Sequence, residues 1–129
     1  MNRWELKPLV SVGQIEFGKE REKVRQLFSG KYREFKKSKF SKNTADDYGN
    51  FHVFYTVDNK VEAVEIFENI EIILDGEIIF PVSISKTKEV LSGLKEEEGS
   101  FIHLEASIGI YAPSGEAESI LVGSKGYYE

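Results

Sequence analysis

The sequence predicts an α+β fold, in which an antiparallel sheet of about five to seven strands carries two helices packed on one face. Two turn signals, Asp58-Asn59 and Asp75-Gly76, each lie between apolar runs and indicate β-hairpins. Two further segments place apolar residues at helical spacing. The chain has 129 residues, of which 40% are hydrophobic. That is enough for a buried core, so we expect a single domain over residues 1–129.

The first part of the chain predicts a short extended segment followed by a helix. Residues 12–18 are bounded by glycines and alternate at Ile15 and Phe17. Residues 19–28 then carry an apolar stripe that ends in Leu27 and Phe28, one helical turn after Val24. We therefore expect the first helix to cover residues 19–28.

The turn at Asp58-Asn59 predicts a hairpin over residues 51–68. A two-residue loop divides the cross-strand pairs between two faces: Phe51 with Ile66 and Val53 with Val64 on one, and His52 with Glu65, Phe54 with Ala63 and Thr56 with Val61 on the other. Asn59 adopts a left-handed conformation less readily than glycine, so a longer loop is the alternative.

The second half of the chain predicts strands over 70–74 and 77–80, a helix over 85–95, and strands over 102–111 and 118–123. Ser85 is the expected N-cap of the helix. Tyr127 and Tyr128 are expected to cover an edge of the sheet.

Parts of the sequence match each other. Residues 55–64 align without gaps on residues 111–120, since both contain a tyrosine, a turn, a glutamate, a small residue and an aliphatic residue in the same order. A shorter match joins residues 13–17 to 76–80. These matches predict a duplicated strand–helix–hairpin unit, with sub-repeats 12–68 and 70–124. Coincidence between unrelated strands is the alternative.

Three resemblances follow from these patterns. The helix start resembles a short motif of the small outer-membrane assembly lipoproteins, in the pattern Gly13-x-Ile15-x-Phe17-Gly18-Lys19-x-x-Glu22-x-Val24-x-x-Leu27-Phe28. The chain lacks the cysteine that carries their lipid, so membrane anchoring does not carry over. The repeated helix-plus-hairpin unit is similar in architecture to β-lactamase inhibitory proteins, without their disulfides. More broadly, the chain resembles small acidic bacterial immunity proteins, which implies neutralisation of a toxin by covering its active site.

Charge is unevenly divided along the chain. Residues 19–42 hold ten of the 17 lysines and arginines and only three glutamates. From residue 43 onward there are 17 acidic residues against five lysines, and the net charge is −5. This division predicts a basic segment followed by an acidic body, and an acidic body suits a basic protein partner.

Several kinds of chemistry lack a sequence pattern. The chain has no cysteine, phosphate-binding loop, dinucleotide-binding glycine motif or nucleophile elbow. His52 and His103 have no third ligand at metal-binding spacing, so we interpret them as surface histidines near carboxylates. Asp46-Asp47 could hold Mg²⁺, but the polar residues around the pair favour a turn. We therefore expect no enzyme activity, metal or cofactor.

The sequence also predicts a location. No leader sequence and no apolar run of membrane-spanning length occurs in it. The absence of cysteine suits a reducing compartment. We expect a cytoplasmic protein without a membrane partner.

The sequence best fits an immunity or inhibitor-type protein that binds a basic toxin domain through an acidic, aromatic surface. The candidate contact residues are Tyr55, Glu62, Glu65, Glu105, Tyr111, Glu116 and Glu118.

The alternative is a nucleic-acid-associated module that uses residues 19–42. Its candidate contacts are Arg33, Lys36, Lys37 and Lys39, with Tyr32, Phe35 and Phe40 interleaved among basic residues. We favour the interpretation in which these aromatic side chains pack into the core while the lysines stay in solvent, so nucleic acid is not the expected partner.

Overall fold

The computed structural model describes residues 2–129. Within them the chain forms, in order, β1 (Asn2–Lys7), β2 (Ser11–Val12), β3 (Ile15–Glu16), α1 (Arg21–Leu27), β4 (Arg33–Phe35), β5 (Ala45–Asp47), β6 (Phe51–Tyr55), β7 (Val61–Ile66), β8 (Ile70–Leu74), β9 (Glu77–Phe80), α2 (Ile84–Val90), β10 (Lys95–Glu97), β11 (Ser100–His103), β12 (Ile108–Tyr111) and β13 (Ser119–Gly123). No helix in this part of the chain is long and apolar enough to cross a membrane.

The predicted α+β class is wrong, because the fold is built mainly from two sheets. One sheet has eight strands in the order β10-β11-β12-β13-β7-β6-β5-β4, and the other has five in the order β3-β2-β1-β8-β9. Each helix has only seven residues, about two turns, which is too short to cover a sheet. Several strands could not be predicted from the sequence because they are short and polar, as β10 (Lys95–Glu97) is. They are held in the sheet by backbone hydrogen bonds, which leave no side-chain pattern.

One buried cluster joins the two sheets. The eight-stranded sheet contributes Val53, Val64, Ile110 and Ile120, and the five-stranded sheet contributes Leu6, Ile72 and Phe80. The second sheet, rather than a pair of helices, therefore packs against the apolar side of β6 and β7.

The register predicted for the β6–β7 hairpin is confirmed for the four pairs from Phe51/Ile66 to Phe54/Ala63. The Thr56/Val61 pair is wrong: Tyr55 pairs with Val61 across a register shift. Asn59 has a φ of 60°, and its amide donates to the Thr56 carbonyl over 2.9 Å. The longer loop is thus correct, because Asn59 takes the left-handed conformation that such a bulged turn requires.

The second predicted hairpin is confirmed. β8 and β9 flank Asp75 and Gly76, which both have positive φ angles, of 51° and 82°. Such angles are those of a tight two-residue hairpin loop.

Helix α1 lies inside its predicted range, but α2 ends before the predicted residue 95. Ser83, not Ser85, is its N-cap, and the Ser83 side chain accepts a hydrogen bond from the Lys86 amide. The chain leaves the helix at Leu91, whose φ and ψ of −120° and 104° are extended. The apolar spacing continues past this point only because Leu91 and Leu94 still pack against the core.

The eight-stranded sheet consists of two four-stranded halves that meet where β7 pairs antiparallel with β13. Val64 pairs with Val122 and Ile66 with Ile120. When the alignment of residues 55–64 on 111–120 is extended by two residues, Val64 corresponds to Ile120 and Ile66 to Val122. The two pairs then map onto each other, as they would under a local two-fold axis. The five-stranded sheet departs from that symmetry, since β1 and β8 pair in parallel. The duplication stays a prediction.

Candidate functional site

The eight-stranded sheet has one side toward the core and one side away from it, which we call the outer face. The strand registers place one residue of every strand in a single row across this face: Lys95, Ile102, Gly109, Leu121, Glu65, His52, Asp47 and Arg33. The row is apolar toward β12 and β13 and charged from β7 to β4.

Aromatic side chains cluster on the outer face around His52. The rings of Phe35 and Phe67 each have centroids 4.7 Å from that of His52, and the Phe54 ring lies 6.3 Å away. His52, Phe35 and Phe67 are only partly buried. This side of the sheet therefore carries a small apolar layer that remains in contact with solvent.

The prediction that Tyr127 and Tyr128 cover an edge of the sheet is wrong, because both lie on the outer face over β12 and β13. A Cβ atom at Gly109 would clash with the Tyr128 hydroxyl, and one at Gly123 would lie 2.7 Å from Cβ of Tyr127. The two rings meet edge to face, with centroids 5.3 Å apart. Glycines on β12 and β13 thus leave the space that the tyrosines occupy.

Glu65 lies in this apolar layer without a cation. It is partly buried between Leu121 and His52, and it makes no ion pair within residues 2–129. His52 faces it across the ladder, but Nε2 of His52 lies 3.4 Å from Oδ1 of Asp47 instead. The pKa of the Tyr128 phenol is raised above its ordinary value. Burial is the main cause, and the nearby Tyr127 and the Glu65 carboxylate add to it. A carboxylate among rings is a suitable site for a cationic group from another molecule.

The other predicted contact residues do not form one surface. Tyr111 lies on the outer face and is 43% exposed, and Glu62 lies at the start of β7 beside a small groove. Glu105 precedes β12, whereas Glu116 and Glu118 follow it. Glu105 therefore lies at the opposite end of the sheet from Glu116 and Glu118.

Tyr55 is not available as a surface anchor. It is only 5% exposed, and its ring lies 4.5 Å from the guanidinium carbon of Arg21. Burial raises the pKa of its phenol. The prediction of a surface anchor is wrong, because Tyr55 continues the alternation of Phe51 and Val53 and faces the core with them.

A buried ionic cluster escaped sequence analysis. Asp46 has no solvent exposure and accepts from Nη2 of Arg21 over 2.7 Å and from Nε of Arg25 over 2.9 Å. Burial alone would raise the pKa of Asp46, but the hydrogen bonds from Arg25 and Arg21 outweigh it and hold the pKa below its ordinary value. The available signal was the spacing of the two arginines, four residues apart on one side of a helix.

The predicted turn at Asp46-Asp47 is wrong for Asp46, since both residues lie in β5 on opposite sides of the sheet, but Asp47 at the strand end does accept from the amide two residues on, as in an Asx-turn. Asp47 accepts from the Gly49 amide over 2.7 Å and from Arg33 over 3.2 Å. Both carboxylates are thus engaged by the chain itself. Within residues 2–129 no group of three or more histidine, cysteine or acidic side chains could hold a metal ion.

An open cavity of about 750 Å³ lies beside β10 and the β11–β12 loop. Its lining includes His103, Glu105 and Tyr128. Nδ1 of His103 accepts from the Ala106 amide over 3.1 Å, and the described chain contains no ion pair between His103 and a carboxylate. The histidine therefore stabilises the loop rather than facing Glu105 along a strand.

The aromatic residues of the basic segment have three different environments. The Tyr32 ring lies 3.9 Å from the Arg25 guanidinium carbon, and Phe35 belongs to the outer-face cluster. Phe40 is 82% exposed. The expectation that these rings pack into the core is thus wrong for Phe40 and Tyr32. It is confirmed only in part for Phe35, which is partly buried against the small cluster that contains Phe54.

The basic candidates lie at the β4 side of the eight-stranded sheet. The Arg33 side chain is 81% exposed, and Lys36 and Lys39 are also exposed. Lys37 reaches back to the outer face, where its Nζ lies 4.6 Å from the Phe54 ring centroid and 3.5 Å from the Tyr127 hydroxyl.

Comparison with protein families, with curated proteins and with solved structures found no match for this chain.

Proposed function

We propose that this chain is a protein-binding protein of the immunity or inhibitor type, which neutralises a bacterial toxin domain by occlusion. The observation that carries the proposal is Glu65, a partly buried carboxylate that lies among the outer-face rings without a cation in residues 2–129. A lysine or arginine of a partner would complete that ion pair.

The surroundings of Glu65 suit a binding contact. Aromatic side chains around a central charged contact exclude water, and an ion pair is stronger where water is excluded. His52, Leu121 and Tyr128 supply such surroundings for Glu65. The acidic body of the chain adds attraction toward a basic partner, which speeds encounter.

We infer that the chain acts by binding and not by catalysis, in the cytoplasm. Groups that a catalyst could use are engaged in the fold: Asp46 by two arginines and His103 by a backbone amide. The cytoplasm suits a chain without cysteine.

The test is to measure binding to the protein encoded beside this chain by isothermal titration calorimetry. Glu65→Gln keeps the side-chain shape and removes the charge, so we expect a loss of affinity of about tenfold to hundredfold. Glu77→Gln is the matched control, because Glu77 is exposed on β9 of the five-stranded sheet and is not a candidate contact. We expect the control to bind as the original protein does.

Two results would contradict the proposal. No complex with the neighbouring protein would remove the immunity function. A complex that Glu65→Gln weakens no more than Glu77→Gln does would show that Glu65 is not a contact.

The nucleic-acid alternative has less support from the fold. Two of its three aromatic residues, Tyr32 and Phe35, pack against other side chains. Single-stranded nucleic acid is bound most effectively by several exposed rings along a basic groove.

A further inference from the structure

The basic loop, which we define as residues 36–42 between β4 and β5, carries four lysines and no acidic residue. Its tip is ordered by its own hydrogen bonds. Ser38 donates its amide to Oγ of Ser41 over 3.0 Å, the Phe40 amide donates to Oγ of Ser38 over 3.2 Å, and the Ser41 amide donates to the Ser38 carbonyl over 3.1 Å. The turn that presents Phe40 is therefore a folded feature of the chain.

Both ends of the basic loop are attached to the body of the protein. Lys37 contacts Phe54 and Tyr127, and the Asn43 side chain donates to the Thr56 carbonyl over 2.8 Å. Phe40 nevertheless stays 82% exposed, with only the Lys39 ammonium near its ring, at 5.2 Å. An ordered loop thus holds a large apolar side chain in solvent, where it gains nothing from burial.

We propose that the basic loop docks this protein on the surface of an anionic lipid membrane. Phe40 enters the boundary between headgroups and acyl chains, and the ammonium groups of Lys36, Lys39 and Lys42 contact the anionic headgroups. The acidic remainder of the chain is repelled by the same surface, which orients the protein with the loop toward the lipid.

This contact is peripheral and differs from a membrane span. It is compatible with the absence of a membrane-spanning helix in residues 2–129. A membrane fits the loop better than nucleic acid does, because the loop has one protruding apolar side chain and no row of free rings.

The experiment measures binding of the whole protein to phosphatidylcholine vesicles with and without about 30 mol% phosphatidylserine, by sedimentation at about 0.1 M salt. We expect binding only to the anionic vesicles, and most of it to be lost at about 0.5 M salt. Phe40→Ala should weaken it roughly tenfold. The triple variant Lys36→Gln, Lys39→Gln, Lys42→Gln should weaken it about a hundredfold.

Matched controls separate the loop from general effects of charge and apolar exposure. Val10→Ala changes another exposed apolar residue, at 56% exposure, and we expect it to bind as before. The same holds for the triple variant Lys7→Gln, Lys86→Gln, Lys125→Gln, since these lysines are exposed outside the loop. Glu65→Gln should leave vesicle binding unchanged, so this test is independent of the proposed protein partner.

Any of three results overturns the proposal. The first is no preference for anionic vesicles. The second is an equal loss in the loop variants and their controls. The third is tighter binding to a single-stranded RNA oligonucleotide than to anionic vesicles, which would assign the loop to nucleic acid.

Discussion

The polar residues around Asp46 suggested an exposed turn, but the residue forms a buried ion pair. Its side chain has no solvent exposure, and two guanidinium groups from α1 hold it. Taking a carboxylate out of water is costly, and hydrogen bonds from both arginines offset that cost. The cluster therefore attaches α1 to β5, and the packing of this helix against the sheet depends on the Asp46 carboxylate.

Asp46→Asn should lower the free energy of unfolding by about 3–5 kcal/mol, because it leaves the buried Arg21 with only the exposed Glu34 carboxylate, at 3.9 Å, as a counter-ion. Urea denaturation followed by circular dichroism measures the change. Glu71→Gln is the control: it breaks an ion pair of similar length with Arg3, whose side chain is 70% exposed, and should cost less than about 1 kcal/mol. Equal losses in the two variants would show that the buried cluster contributes no more than a surface pair.

Among the single elements, helix α2 begins two residues earlier than the sequence predicted: its N-cap is Ser83 and not Ser85. Both Ser83 and Ser85 precede apolar residues at helical spacing. Only Ser83 has the extended backbone of an N-cap, with φ and ψ of −63° and 149°, and only Ser83 accepts from the amide of Lys86. Ser85 is already inside the first turn, where a serine side chain has no unpaired amide ahead of it to cap.

Ser83→Ala should therefore destabilise the protein by about 0.5–1 kcal/mol, whereas Ser85→Ala should be neutral or slightly stabilising. The expected cost is at the lower end because the hydrogen bond is long, at 3.4 Å. Thermal unfolding by calorimetry measures both variants. A larger loss from Ser85→Ala would mean that the helix begins two residues later.

For the whole molecule, three carboxylates that accept hydrogen bonds in the fold make stability depend on pH. Asp46, Glu34 and Asp47 all have pKa values below their ordinary values. Hydrogen bonds from Arg25 and Thr44 cause the shift at Glu34, and the Gly49 amide is the main cause at Asp47. Because the unfolded chain binds these protons more readily, acid favours unfolding.

The stability from these three carboxylates should be fully present above their unfolded pKa values and lost as pH falls through the lower folded values. We expect the urea midpoint to be constant near neutral pH and to decrease between about pH 5 and pH 2. Asp46→Asn should make that decrease shallower, since it removes one of the three groups. An identical pH profile in the variant would show that Asp46 does not contribute to acid unfolding.

The candidate site was only partly predictable from the sequence. Glu65 was correctly placed opposite His52, because alternation and turn chemistry act over a few residues. Its isolation among rings was not predictable, since Tyr128 and Leu121 reach it from the other end of the chain. Tyr55 and Tyr111 were both predicted as surface anchors, yet one is 5% exposed and the other 43%. Tyr55 faces the core with Val53 and has Arg21 over its ring, whereas Tyr111 follows the core-facing Ile110 and points to the other side.

Sequence patterns were sufficient to predict both hairpins, four pairs of the β6–β7 register and the position of α1, because each depends on neighbouring residues. The long-range features could be read only from the folded chain: a second sheet covers the first, β1 pairs in parallel with β8, and Phe40 stays in solvent. The physical reason is that backbone atoms pair strands regardless of side-chain pattern, so polar segments such as β10 can join a sheet. Burial of a given side chain then depends on which distant segment packs over it.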